Sequence, residues 1–229
     1  MAKILTTAIV ADIRNKLNGS VFSKNKAGAY IRTKVTPVNP QSVSQQNVRN
    51  ALSTNSQAWR GLTEDQRQGW NNAAPNFPYT DIFGNIKQLS GFQLFVKLNN
   101  NLANIASGAI TDAPTPVAIP AITSLTLTAA AGAGTVTVTY APTPVPADFS
   151  MVVESTPNVT PGKEFVKNLY RVIAIRAAAA TSPFSAAASF VALYGVPVEG
   201  MKIFVRVKLV STLTGQAGIP MAATTIVAA

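Results

Sequence analysis

The second half of the chain constrains the fold most, because short segments rich in Val, Ile, Thr and aromatic residues recur there between Gly, Pro and Asn turns. Such residues favour strands, and turns at this spacing leave no room for long helices. Seven strands over about 110 residues are typical of an immunoglobulin- or fibronectin-like β-sandwich. The predicted strands are Ile122–Ala129, Thr135–Tyr140, Met151–Ser155, Asn168–Arg176, Phe184–Tyr194, Met201–Ser211 and Met221–Ala228.

The composition changes near residue 110. Residues 1–110 hold 12 Lys and Arg against 4 Asp and Glu, whereas residues 111–229 hold 7 against 5. The junction "TDAPTPVAIP" has three prolines in ten residues, which favour an extended, semi-rigid connection. We therefore predict two domains, residues 1–110 and 111–229, and an α+β fold class.

The first domain opens with a predicted β-hairpin in "GSVFSKNKAGAYIRTKV", whose strands Val21–Lys24 and Tyr30–Val35 flank the turn Asn25–Gly28. In the second strand, basic and aromatic residues alternate with Ile31 and Thr33. Because successive side chains of a strand point to opposite faces, one face of the hairpin should be basic and the other largely apolar.

Helices should follow the hairpin. Ser42 with Gln45 is a capping box that opens a helix ending near Gly61, and Thr63 with Gln66 opens a second helix that stops before Pro75. The apolar side of the first helix is marked by Val48, Leu52 and Trp59. A third helix is predicted from Gly91 to Ala106. Its polar face, suited to partners, carries Asn99, Asn100, Asn101 and Asn104.

The chain contains neither cysteine nor histidine. This composition removes thiolate nucleophiles, Ser-His-Asp arrangements and the usual zinc ligands. The only close acidic pair, Glu64 and Asp65, stands where a helix start favours negative charge. We therefore expect no enzymatic activity, no cofactor and no metal site. The longest apolar runs fall short of the roughly 20 residues that a membrane span needs, so no membrane partner is expected.

The segment from Lys3 to Arg49 is strongly basic, with eight Lys and Arg against a single Asp12. Such a segment attracts polyanions, but its cations also suit acidic neighbouring subunits. The predicted partner-binding residues are Lys24, Lys26, Arg32, Lys34 and Arg49.

The stretch "AWRGLTEDQRQGWNNAA" holds the only two tryptophans of the chain. Trp59, Leu62 and Trp70 are predicted to form one structural cluster in a helical hairpin, since each buried Trp removes about 150–250 Å² from water. The alternative is contact with DNA, because the same stretch looks like part of an HMG-box hairpin, a fold that bends DNA through the minor groove.

The segments "GSVFSKNKAGAYIRTKVTPVNP", "SQQNVR", "AWRGLTEDQRQGWNNAA" and "SGFQLFVKLNN", in this order, resemble the amino-terminal region of a group of tailed-bacteriophage proteins. Together with a β-sandwich behind them, they look like auxiliary capsid or head proteins of crAss-like phages. The resemblance covers roughly residues 15–102. It implies a virion component and gives no catalytic residues.

We therefore expect a structural component of a phage virion, made in the host cytoplasm and located in the particle. Its basic first domain should bind the major capsid protein or neighbouring head or neck subunits, and packaged DNA is a further expected partner. The low charge content, 12% of residues against about 25% in typical soluble domains, favours burial in an assembly. The alternatives are an architectural DNA-binding protein and a host-surface glycan binder acting through the sandwich loops.

Overall fold

The computed structural model describes residues 2–3, 13–25, 28–80 and 85–229. The chain forms two compact units, Met1–Asn47 and Val48–Ala229. Helices and antiparallel sheets both occur, so the fold class is α+β. The boundary expected near residue 110 falls inside the second unit, and independent folding on either side of it stays a prediction.

The first unit contains a four-stranded antiparallel sheet. Its strands are β1 (Ala2–Lys3), β2 (Asn15–Leu17), β3 (Ser20–Asn25) and β4 (Gly28–Thr33), in the order β1-β4-β3-β2. Strands β3 and β4 form the predicted hairpin, with Asn25 paired to Gly28. The backbone N–H of Lys34 donates to the Gly19 carbonyl at 2.8 Å, which continues this pairing past the end of β4.

Three helices follow: α1 (Val43–Gly61), α2 (Glu64–Ala73) and α3 (Gly91–Asn104). A 3₁₀ turn (Ala74–Asn76) and a small hairpin, β5 (Tyr79–Thr80) and β6 (Ile86–Lys87), connect α2 to α3. The capping box at Thr63 and Gln66 is confirmed, and a second one, Ser90 with Gln93, begins α3. No helix in the described ranges is long and apolar enough to span a bilayer.

The carboxy-terminal part contains β7 (Ser124–Ala130), β8 (Thr135–Ala141), β9 (Phe149–Ser155), β10 (Arg171–Arg176), β11 (Phe184–Ser185), α4 (Ala187–Tyr194), β12 (Lys202–Ser211) and β13 (Met221–Ile226). The predicted strand Phe184–Tyr194 is wrong over most of its length, because only two residues extend and the rest form α4. "AASFVALY" lacks period-two alternation, and alanine is the best helix former.

These seven strands form two antiparallel sheets, ordered β10-β9-β12-β13 and β11-β8-β7. Side chains from both sheets and from α4 share one core, since buried residues from every one of these elements except β13 belong to a single cluster. The largest fully buried side chains of this core are Phe190, Met151, Ile203, Val136, Val138, Val145, Val153 and Val205.

The end of α3 packs on the outer side of the sheet β10-β9-β12-β13, where Leu102 and Ile105 meet Val152 and Val210. Every residue of β9 is consequently buried, including those that alternation would expose. The same end of α3 is held by the Nδ2 group of Asn101, which donates to the Gly215 carbonyl at 2.8 Å.

The predicted asparagine face of α3 is therefore wrong in part. Asn99 is 2% exposed; its Nδ2 group donates to the carbonyls of Phe95 and Ile110, and its Oδ1 accepts from the Ile110 N–H at 2.8 Å. Asn101 is bound to the loop after β12. The row of asparagines was expected to face partners. Asn99 is buried instead, and its side-chain amide bonds both the N–H and the carbonyl of Ile110, so it stabilises the fold.

Candidate functional site

The strand register of the first unit gathers cations on one side of its sheet. Lys16 pairs with Val21, and Val21 pairs with Arg32, so these three side chains form one row across β2, β3 and β4. Tyr30 lies two residues before Arg32 and shares its face. Lys34 continues the same alternation just beyond β4. We call Lys16, Val21, Tyr30, Arg32 and Lys34 the basic face.

The structure separates the predicted partner-binding residues. Lys24 pairs with Ala29, which puts it on the side opposite Arg32. Arg49 lies in α1, outside the sheet, and Lys26 lies outside the described residues. Lys24, Arg32, Lys34 and Arg49 are all exposed. The predicted partner-binding residues therefore do not form one surface of the sheet. The strand register places Lys16 on the basic face, although the sequence had not singled it out as a partner-binding residue.

The opposite side of the sheet carries apolar residues. Phe22 pairs with Ile31, and Leu17, which pairs with Ser20, shares their face. Leu17 is 70% exposed, and none of residues 13–24 and 29–47 is buried. We call Leu17, Phe22 and Ile31 the apolar face. A sheet with apolar residues and no buried side chain among those described is typical of a surface that is covered in an assembly.

Helix α1 also exposes the apolar side predicted from its sequence. Val48 is 70% exposed and Leu52 is 53% exposed, whereas Trp59 near the end of the helix is partly buried. The helix spacing was predicted correctly, but only its last turns pack against other described residues of the core.

Trp59, Leu62 and Trp70 lie in one core cluster that is centred on α3. Trp70 is fully buried, Leu62 is 7% exposed, and the Trp59 ring packs on the same cluster. Phe95 lies between the two tryptophans, with ring centroids 5.4 Å from Trp59 and 5.2 Å from Trp70. The Nε1–H of Trp70 donates to the Thr111 carbonyl at 2.8 Å, which fastens the segment after α3 to helix α2.

A charged group that sequence reasoning missed lies on the outer side of the sheet β10-β9-β12-β13. The carboxylate of Glu154 is 10% exposed, accepts from Arg206 Nε at 2.6 Å and from Lys208 Nζ at 3.2 Å, and forms an ion pair with both. Arg206 and Lys208 lie two residues apart in β12 and share one face, but nothing in the sequence marked Glu154 as their cross-strand partner. The carboxylate offsets one of the two positive charges, and the cluster holds β9 to β12.

Tyr170 borders this group, with the Arg206 guanidinium 4.4 Å from the centre of its ring. Burial raises the pKa of the Tyr170 phenol above its usual value; Arg206 opposes that rise and Glu154 adds to it. A cavity of about 230 Å³ lies beside the cluster, between α3 and the sheet. It is lined by Asn101, Asn104, Val152, Glu154, Val172, Lys208 and Val210.

Within the described ranges, no three Asp or Glu side chains come together as metal ligands would. The basic face has three exposed cations, Lys16, Arg32 and Lys34, and residues 13–25 and 28–47 contain no acidic residue. Its exposed cations can bind anions. No family model, curated protein or solved structure matches this chain.

Proposed function

We propose that the chain is a structural subunit of a phage virion, an auxiliary or decorating protein of the capsid or head. Its first unit attaches to neighbouring virion subunits, and its carboxy-terminal part is displayed or bridges between subunits. The observation that carries the proposal is the first unit itself, in which none of residues 13–24 and 29–47 is buried while Leu17 is 70% exposed. Apolar surface of this kind is stabilised when a partner covers it.

The second unit supports the proposal by contrast. It has a large core, its helices α2 and α3 begin with capping boxes, and its buried carboxylate Glu154 forms ion pairs with Arg206 and Lys208. A well-packed unit, preceded in the chain by one whose residues 13–24 and 29–47 include no buried side chain, suits a protein that is anchored by one part and presents the other.

We further propose that β7–β13 form a β-sandwich of the immunoglobulin or fibronectin type. The first, second and fifth strands share one sheet, and the third, sixth and seventh share the other, which is the immunoglobulin partition. The fourth strand, β10, pairs with the third, as an added strand does in variable-type domains. Nuclear Overhauser contacts between core valine methyls of the two sheets would support this arrangement, and their absence would contradict it.

The alternative of a DNA-binding helical hairpin has less support. Trp70 has no exposed surface and its indole N–H is bonded to the Thr111 carbonyl, so the ring is not available to insert between bases. The remaining basis for nucleic-acid binding is the basic face.

Mass spectrometry of purified particles tests the virion proposal directly. We expect the chain to be present, and we expect Leu17→Ser to reduce its incorporation because the apolar face loses its largest exposed side chain. Phe165→Ser is the matched control, since Phe165 is 75% exposed in the second unit and its removal should leave incorporation unchanged. Particles without the chain would contradict the proposal.

If Phe165→Ser lowered incorporation and Leu17→Ser did not, attachment would lie in the second unit, and the assignment of the anchor to the first unit would be wrong.

A further inference from the structure

We propose that the basic face of the first sheet binds the phosphate backbone of a nucleic acid, while the apolar face on the other side of the same sheet is left to protein. The inference rests on the proposed function for the source of the nucleic acid, which would be the packaged genome. The chemistry of the contact follows from the sheet alone.

The charge of the first unit is the first argument. Residues 1–47 contain seven Lys and Arg and one acidic residue, Asp12, which lies outside the described residues. Lys16, Arg32 and Lys34 are exposed. Exposed cations without carboxylates on the same sheet raise the local concentration of a polyanion, and nucleic acids offer the densest regular array of negative charge.

The spacing of the cations is the second argument. Lys16 and Arg32 lie two strands apart, or about 10 Å, and Arg32 and Lys34 lie two residues apart, or about 7 Å. A DNA strand carries one phosphate for about every 3.4 Å of helix axis, so cations at these separations reach different phosphates without bending the backbone. The hydroxyl of Tyr30, on the same face, can donate to a phosphate oxygen or its ring can stack on an unpaired base.

The composition of the face favours nucleic acid over an acidic protein. Protein–protein interfaces have an apolar centre and are depleted in lysine, whereas interfaces with nucleic acid are polar and strongly positive. Two of the three cations on the basic face are lysines. Its one aliphatic side chain, Val21, is partly buried and lies between Lys16 and Arg32. The other side of the sheet carries Leu17, Phe22 and Ile31, with Lys24 as the one cation among its described strand residues.

The register supplies an internal control. Lys24 carries the same charge as Lys16 and is also exposed, but it belongs to the side of Phe22 and Ile31. If binding depends on the basic face, removing the charge of Arg32 or Lys16 matters and removing that of Lys24 does not. If binding depends only on net charge, all three changes are equivalent.

The experiment is fluorescence anisotropy of the full chain with a labelled 24-base-pair DNA duplex of mixed sequence, repeated between 50 and 200 mM NaCl. We expect a linear fall of log K with log salt, and a slope that is shallower by about 0.9 for Arg32→Gln and for Lys16→Gln. The loss of affinity across this salt range should then be about 3.5-fold smaller for each removed contact. Arg32→Lys should retain the original slope, and Lys24→Gln should leave it unchanged.

Two outcomes would overturn the inference. Equal changes of slope for Arg32→Gln and Lys24→Gln would mean that diffuse charge, and not one face, attracts the DNA. Absence of salt-dependent binding would mean that the basic face does not bind the phosphate backbone of DNA. Neither outcome bears on whether the chain occurs in purified particles, so failure of this inference is distinguishable from failure of the virion proposal.

Discussion

Gly215 approaches Leu98 so closely that a Cβ atom on the glycine would lie 2.3 Å from the Leu98 carbonyl oxygen. Its φ is +72°, a conformation that residues with side chains adopt only at a cost. The loop after β12 therefore meets α3 backbone to backbone, and the Asn101 side chain bonds the same residue from the helix. This contact, together with the Ser107 hydroxyl bonded to the Thr212 carbonyl, joins the helices to the sheets within the second unit.

The first prediction concerns this contact. Gly215→Ala should lower the free energy of unfolding by more than Gly134→Ala does, because both glycines have positive φ but only Gly215 has backbone atoms where the methyl would go. Gly134→Ala isolates the conformational cost, about 1–2 kcal/mol. Chemical denaturation of the full chain measures both. Equal losses would show that the loop moves away from α3 at little cost.

The second prediction concerns Asn99. Asn99→Ala should destabilise the chain by roughly 2–3 kcal/mol, because the amide N–H and carbonyl of Ile110 lose their partner inside the protein. Asn104→Ala is the control on the same helix, since Asn104 is exposed, and its change should stay within about 0.5 kcal/mol. Similar midpoints for the two variants in urea would mean that water replaces the Asn99 side chain.

Much of the helical region could be predicted from local signals. The capping box at Thr63, the glycine at the end of α1 and the proline after α2 act within a few residues, so adjacent positions are enough to recognise them. Of the box predicted at Ser42, the structure shows the bond from the Gln45 N–H to the Ser42 hydroxyl at 3.4 Å. Phe95 shows where such reasoning stops. Its helical face was predictable, but its place between Trp59 and Trp70 depends on how three helices pack, which the spacing in one helix does not specify.

The candidate site shows the same division. Alternation in β4 predicted a basic and an apolar side, but the membership of Lys16 and the exclusion of Lys24 follow from the register between strands. A shift of one residue in this register would exchange the faces.

The apolar segment that forms α4 was predicted as a strand, because a short buried helix and a short buried strand have similar compositions. The alanines of the segment were the local feature that favours a helix.

The third prediction concerns the tryptophan cluster. Trp70→Ala should cost about 3–5 kcal/mol, because a fully buried ring is lost between α2 and α3. Trp70→Phe keeps an aromatic ring against Phe95 and removes the bond to Thr111, so it should cost clearly less. Thermal unfolding followed by circular dichroism checks both. A shift of less than a couple of degrees for Trp70→Ala would contradict the role of the cluster.

The fourth prediction concerns the buried carboxylate. Glu154→Gln should destabilise the chain by roughly 1–3 kcal/mol, because Arg206 and Lys208 are left without a counter-charge beside the sheet. The loss should stay below that of a fully buried pair, since both cations reach water. Glu164→Gln is the control: Glu164 is 75% exposed where it pairs with Lys202, and its loss should cost less than about 0.5 kcal/mol. Equal costs would mean that the burial of Glu154 does not strengthen its ion pairs.

The fifth prediction is a pH dependence at Tyr194. Its hydroxyl donates to the Ser155 carbonyl at 2.9 Å, and burial raises the pKa of the phenol above 10.0 while Arg171 opposes the rise. A raised pKa means that the folded state holds the proton more tightly than the unfolded state does. The stabilisation is therefore complete below about pH 10 and is lost as the pH rises through the pKa of the folded state.

Tyr194→Phe separates this effect from the titration of lysines, which both proteins share. At pH 7 the variant should be less stable by about 1 kcal/mol, the usual worth of one hydrogen bond. Above pH 10 the difference in unfolding free energy between the two proteins should shrink, because the phenol of the unfolded parent ionises while that of the folded parent keeps its proton, which favours unfolding of the parent. Urea denaturation at pH 7, 9 and 10.5 measures the difference. A gap that stays constant over this range would show that folding does not raise the pKa of the Tyr194 phenol.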